Sequence, residues 1–127
     1  MNISDNDVLE NILEVRIAQL LINEEYKEGK FKIPIHLGFG HESISVAVSR
    51  IMQNDDKLIL THRNAAYNLA RVRKLKPVLN EYLLKSEGMN GGKIGSMNLL
   101  NSELGVIYSS SILGNNFGVA VGVAMAE

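Results

Sequence analysis

The chain has 127 residues, 46% of them apolar and 21% charged, with a formal net charge of −1. Such a balance suits one soluble globular domain with a modest core, and the near-neutral charge gives no electrostatic footprint for nucleic acid or an anionic membrane. The lack of cysteine excludes disulfides, thiolate catalysis and Cys-based zinc sites, and it fits a reducing, cytoplasmic setting.

The acidic first residues, Met1 to Asp7, lack the basic-then-apolar layout of a signal peptide. Ser4 is a good N-cap for a first helix, with Asp5 and Asp7 where negative charge suits the helix dipole. Leu9, Ile12, Leu13, Ile17, Leu20 and Leu21 recur at helical spacing and predict one apolar stripe. Gly29 is the expected C-terminal stop, and Glu24, Glu25, Lys27 and Glu28 read as a solvated face. From Lys30 to Gly40 there is no helical period, and Pro34 with two glycines marks a loop. A second helix opens at His41-Glu42-Ser43, carries Ile44, Val46, Ala47, Val48 and Ile51, and is broken by Asn54-Asp55-Asp56.

Lys57-Leu58-Ile59-Leu60 reads as a short buried strand that ends in Thr61-His62-Arg63. The helical pattern returns from Asn64 to Leu75, and Arg71, Arg73, Lys74 and Lys76 suit the dipole at its C-terminal end. Pro77 fits the first turn of another helix running to about Ser86. Gly88 to Gly95 is a glycine-rich loop, Val106-Ile107-Tyr108 a short extended piece, and Gly114 to Glu127 the last helix. In that helix Gly114, Gly118 and Gly122 fall four apart, a spacing that lets another backbone approach closely. It carries no stop signal, so the chain is expected to end in mid-element. One clear strand among helices predicts the start of an α/β layer. The charge-free run before Glu127 has the length of a membrane span, but Ser109-Ser110-Ser111, Asn115-Asn116 and four glycines break it, so no span is predicted.

Common catalytic patterns do not fit. In the glycine loop Gly88 lies one residue too close to Gly92-Lys93 for a Walker phosphate loop, and Ile94 follows the lysine, so a flexible connector is the simpler reading. His36, His41 and His62 form no helical metal pair, and no serine has the flanks of a nucleophile elbow. His62-Arg63 remains. A strand end that delivers two cationic-capable side chains beside a helix start is a place to hold an anion. A surface pair is the commoner case, and the signal gains weight from two companion stretches, Ile35 to Glu42 upstream and Gly91 to Asn98 downstream.

Taken in order, these stretches read His36-Leu37-Gly38-Phe39-Gly40-His41-Glu42, Asp56-Lys57-Leu58-Ile59-Leu60-Thr61-His62-Arg63, Gly92-Lys93-Ile94-Gly95-Ser96-Met97-Asn98 and Ile112-Leu113-Gly114. The series resembles the alpha subunit of thiamine diphosphate-dependent 2-oxo acid dehydrogenases, the first, decarboxylating component, a family that includes pyruvate, branched-chain 2-oxo acid and acetoin enzymes. The order and spacing hold from about residue 8 to 127, and the Thr-His-Arg form looks most like the acetoin-type branch.

The resemblance implies an α/β fold, with residues 1–127 forming the helix-rich N-terminal portion of a three-layer α/β thiamine diphosphate-binding domain. It implies oxidative decarboxylation or cleavage with acyl transfer to a lipoyl carrier. By the same resemblance Arg63 and His62 would hold the diphosphate, with His36 near it. The backbone of Ser111 and Leu113 would meet the aminopyrimidine ring, and Glu42 and Ser96 would position the loops. No catalytic residue is assigned in this chain, because the activating glutamate comes from the beta subunit, expected as partner in a heterotetramer beside a lipoyl acyltransferase. Magnesium is expected to be held by a Gly-Asp-Gly…Asn motif beyond Glu127, so this chain alone should bind the cofactor poorly. Asn98, Ile94, Ala65 and Gly118 depart from the family pattern, and Asn98 and Ala65 would remove substrate or phosphate contacts. The alternative is a non-catalytic interaction protein, or a half-domain that needs a complementary chain.

Overall fold

The structure, a computed structural model, describes residues 5–127, so the Ser4 cap lies outside the described residues. Helix α1 spans Asp5–Lys27 with Asp5 and Asp7 in its first turn. Gly29 ends it in the left-handed region at φ +72°, where its N–H bonds the Tyr26 carbonyl at 3.0 Å and the Lys30 N–H bonds that of Glu25 at 3.2 Å. Glycine adopts this conformation without the Cβ penalty.

The buried face of α1 differs from the expected stripe. Asn11, Val15, Ala18, Gln19 and Ile22 are buried, with Val8 and Ile12 packed against the core. Leu9, Leu13, Ile17, Leu20 and Leu21 point outward and are exposed. The helix is apolar on two faces, and the inward one includes two amides that a hydrophobic count passes over.

Helices α2 (Glu42–Ile51), α3 (Ala65–Val72) and α4 (Leu75–Tyr82) complete the helical layer. Their core with α1 is built from Val15, Ile22, Val46, Leu69, Val78 and Tyr82, joined by Leu99 from the loop before β2. Of the apolar residues expected to fill α2, Ile44 and Ile51 are exposed.

The run predicted from Asn64 to Leu75 is interrupted, and the next helix stops four residues early, at Tyr82. Arg73 turns left-handed at φ 50°, and its guanidinium reaches back to Glu14 at 2.9 Å and Asp7 at 3.3 Å. Arg71 bonds the carbonyls of Leu104 and Ser49. The basic cluster therefore tethers α3 to α1 and to the segment before β2, beyond any interaction with the helix dipole. Pro77 is the third residue of α4, still in the turn where an absent N–H costs nothing.

Strands β1 (Leu58–Thr61) and β2 (Val106–Ser110) form a two-stranded parallel sheet. Leu58 pairs with Val106 and Ile59 with Tyr108, so Ile107 is an extra residue, and Leu60 and Thr61 then pair with Ser109 and Ser110. Gly105 enters β2 at φ +83°, and a Cβ there would stand 2.6 Å from the Asp56 carbonyl. That approach lets the Leu58 N–H bond the Gly105 carbonyl at 2.7 Å. Helix α5 (Asn115–Ala126) lies against both strands, and none of its residues is buried. Among the described residues no helix is long and apolar enough to cross a membrane.

The two faces of α1 make separable predictions. Ile22 is fully buried, so Ile22→Ala is expected to cost about 2–5 kcal/mol in urea unfolding. Leu13 is exposed, so Leu13→Ala should change stability by less than about 0.5 kcal/mol. Equal losses at the two positions would contradict the observed orientation of the helix.

Candidate functional site

The register of the sheet brings the candidate residues to one edge. Thr61 and Ser110 are paired at the carboxyl ends of β1 and β2, so the segments after both strands leave the sheet side by side. In parallel sheets ligands bind outside these strand ends. His62 and Arg63 follow β1, and Ser111, Ile112 and Leu113 follow β2.

His36, from the loop before α2, meets His62 with ring centroids 5.3 Å apart and planes at 89°. Arg63 Nη1 donates to the Leu37 carbonyl at 2.6 Å and fastens that loop over the turn. This bond uses one of five guanidinium donors, and the side chain is otherwise exposed. Among the described residues Nδ1 of His36 and Nδ1 of His62 are both buried without a hydrogen-bond partner. Such atoms are uncommon in folded proteins and call for a ligand or a cost. Burial, and then the positive charges of His62 and Arg63, hold the His36 imidazole below its ordinary pKa. An anion placed beside the three would reverse the charge effect. The structure thus brings His36, His62 and Arg63 together. Ser111 and Leu113 stand exposed on the neighbouring strand end, and among the described residues no hydrogen bond links them to the other three.

A buried polar group shapes each loop around this cluster. Upstream, Gln19 on α1 accepts from the Gly38 N–H at 2.7 Å and donates to Glu42 at 2.8 Å. Glu42 also takes a two-pronged ion pair from Arg16, at 2.7 and 2.9 Å, and the Gly40 N–H at 2.8 Å. The Arg16 guanidinium lies 5.6 Å from the Phe39 ring centroid. Burial alone would raise the Glu42 pKa, but Arg16 and the backbone donors outweigh it and hold the carboxyl below its usual value.

At the centre, the Asn64 amide nitrogen lies 2.8 Å from Ser109 Oγ, 2.9 Å from the Met97 carbonyl and 3.1 Å from that of Ser96. Asn64 sits in the N-cap position of α3 yet makes no capping bond with its side chain. Ser96 Oγ donates to the Pro34 carbonyl at 2.7 Å.

Downstream, the glycine-rich stretch is no loose connector. The carboxylate of Glu81 accepts from the N–H groups of Asn90, Gly92, Ile94 and Gly95 at 2.8 to 3.3 Å. Glycine is required where the loop crosses this anchor: a Cβ at Gly92 would come within 2.5 Å of the Leu84 backbone, and one at Gly88 within 2.7 Å of that of Glu81. Burial pushes the Glu81 pKa up, and the backbone donors more than offset it, so the net shift is downward.

Gln19, Asn64 and Glu81 are buried loop anchors that sequence reasoning passes over. Asn64 carries the only advance signal, a cap-type residue between a strand and a helix. Among the described residues no group of three or more His, Asp or Glu could hold a metal ion.

The model of the dehydrogenase E1 component family matches residues 12–127, and the chain belongs to that family of oxidoreductases. It is 28% identical over 116 residues to the alpha subunit of an acetoin:2,6-dichlorophenolindophenol oxidoreductase of Bacillus subtilis, a match covering 91% of this chain and 35% of that protein. It is 27% identical over 117 residues to a mitochondrial pyruvate dehydrogenase E1 component subunit alpha of Chaetomium thermophilum, covering 92% of this chain and 28% of that one. A pyruvate dehydrogenase E1 component subunit alpha of Rickettsia bellii is 29% identical over 92 residues, 72% of this chain and 28% of the relative. The chain thus spans about a third of the length of the curated relatives it matches.

Glu81 links the loop to pH. Its folded pKa lies below the ordinary 4.5, so its contribution to stability is present above that pH and is lost as pH falls through the folded value. Hydrogen exchange at the amides of Asn90, Gly92, Ile94 and Gly95 should therefore accelerate together below pH 4.5. Glu81→Gln should show that acceleration at neutral pH as well.

Proposed function

We propose that the chain supplies the diphosphate-holding portion of the alpha subunit of a thiamine diphosphate-dependent 2-oxo acid or acetoin dehydrogenase. In this reading residues 1–127 are the N-terminal portion of a three-layer α/β cofactor-binding domain. The observation that carries it is the meeting of His36, His62 and Arg63 at the carboxyl end of β1, with two orphaned imidazole nitrogens and free guanidinium donors. The family membership supplies the cofactor class, and the chemistry of the donors suits a diphosphate.

When bound, thiamine diphosphate supplies the electron sink for cleavage beside a carbonyl group. The chain's own residues bind and orient it. Arg63 would give charge-assisted hydrogen bonds to the diphosphate, with His62 as a second donor and His36 near it. The backbone of Ser111 and Leu113 would meet the aminopyrimidine ring. The glutamate that activates this ring belongs to the beta subunit, with which the chain forms a heterotetramer that passes the acyl group to a lipoyl acyltransferase in the cytoplasm. Magnesium, which the family resemblance also implies, would be held by a Gly-Asp-Gly…Asn motif of carboxylate and carbonyl oxygens. A second reading, a half-domain that completes a complementary chain, is favoured by α5, which buries none of its residues in this structure.

Two measurements on the assembly with its beta subunit test the proposal. Arg63→Ala is expected to weaken thiamine diphosphate binding by about 1.5–3 kcal/mol, and an unchanged affinity would remove Arg63 from the site. Because His36 starts with a lowered pKa, bringing a diphosphate beside it should draw in protons as pH falls toward 6.5. Calorimetry in buffers of different ionisation enthalpy should show that uptake in the native protein and a smaller one in His36→Asn.

A further inference from the structure

We infer that Glu81 is a positioning residue for the His36–His62–Arg63 group, acting through the strap formed by residues 94–97. The inference rests on reading that group as a diphosphate site. Glu81 lies at the end of α4, fully buried, and makes no ion pair among the described residues. All four of its hydrogen bonds come from peptide N–H groups, one oxygen serving Asn90 and Gly92 and the other Ile94 and Gly95.

The strap then touches both sides of the site. At Gly95 it passes so close to Ile33 that a Cβ would stand 3.0 Å from the isoleucine side chain. One residue on, Ser96 Oγ holds the Pro34 carbonyl at 2.7 Å, two residues before His36. The carbonyls of Ser96 and Met97 take the amide of Asn64, the residue after Arg63. One end of the strap is therefore fixed by a carboxylate, and the other sets the backbone beside His36 and beside Arg63. An apolar side chain of similar volume would fill the same space without the desolvation cost of a buried charge. What only a carboxylate supplies is four acceptor directions for four converging N–H groups.

The test uses the full chain with Glu81→Gln, Ser96→Ala, the double variant, and Val15→Ala as a destabilised control in the core away from the strap. The readouts are the NMR titration of the His36 ring and the binding of inorganic pyrophosphate with magnesium by the assembly of each variant with the beta subunit. Glu81→Gln and Ser96→Ala should each move the His36 midpoint toward 6.5 and weaken pyrophosphate binding about three- to tenfold. The double variant should be no worse than the poorer single one, since both cut one path. Val15→Ala should change neither readout. If Glu81→Gln does not fold, Glu81→Asp keeps the charge, draws it back by one methylene, and should show a smaller shift of the same sign. A His36 titration that superimposes on the native curve in the folded Glu81 variant overturns the inference. Failure of the native assembly with its beta subunit to bind pyrophosphate in the presence of magnesium sinks the diphosphate reading instead, and the His36 titration then decides the role of Glu81 by itself.

Discussion

The side-chain amide of Asn64 is the point at which the site is tied together. Its nitrogen lies within 3.3 Å of oxygens from β1, from the end of the glycine-rich loop and from β2. An amide has two N–H groups, so it serves the two closest of these well and the others only in part. Ser109 Oγ relieves the shortage by donating to the Thr61 or Met97 carbonyl. Asn64, Ser96 and Ser109 are buried and Thr61 and Met97 half-buried, and an unmet polar group in such a place costs about 1–3 kcal/mol. The strand end carrying His62 and Arg63 therefore has one low-energy position relative to the strap.

The same division of labour runs through the rest of the molecule. The apolar core of α1 to α4 gives a rigid base, and polar side chains rooted in that base hold the loops above it. Gln19 and Glu42 curl the segment from Gly38 to Gly40, and Glu81 gathers the segment from Asn90 to Gly95. Burying charged or amide groups gains little stability compared with apolar filling. It gains direction, because a hydrogen bond fails when its angle fails and a methyl contact does not. A loop that must place imidazole and guanidinium groups to within a fraction of an ångström benefits from that angular control.

This division also explains what was legible beforehand. The helices, both strands and the glycine stop at Gly29 follow from local periodicity and turn chemistry, which depend on neighbours in sequence. The order of the motifs led to the family, and the meeting of His36 with His62 and Arg63 is the feature of the site that the motifs anticipated most directly. The inward face of α1 was misjudged because Leu9, Leu13, Ile17 and Leu20 outweigh Asn11 and Gln19 on any hydrophobic scale, although the amides are the buried ones. The break at Arg73 was hidden because its partners, Glu14 and Asp7, are distant in sequence. Glu81 carries no signal in the sequence, since its four donors lie in a loop whose path only the fold defines.

The electrostatics of the cluster follow from the same geometry. Three permanent positive charges this close together would repel strongly in a partly buried setting. Here only Arg63 carries an obligatory charge. His36 is pressed below its ordinary pKa by burial and by its neighbours, which disfavours its charged form and lowers the repulsion within the cluster. A lysine in place of His36 would keep its charge near neutral pH unless strongly desolvated, whereas an imidazole there gives up its charge at far lower cost.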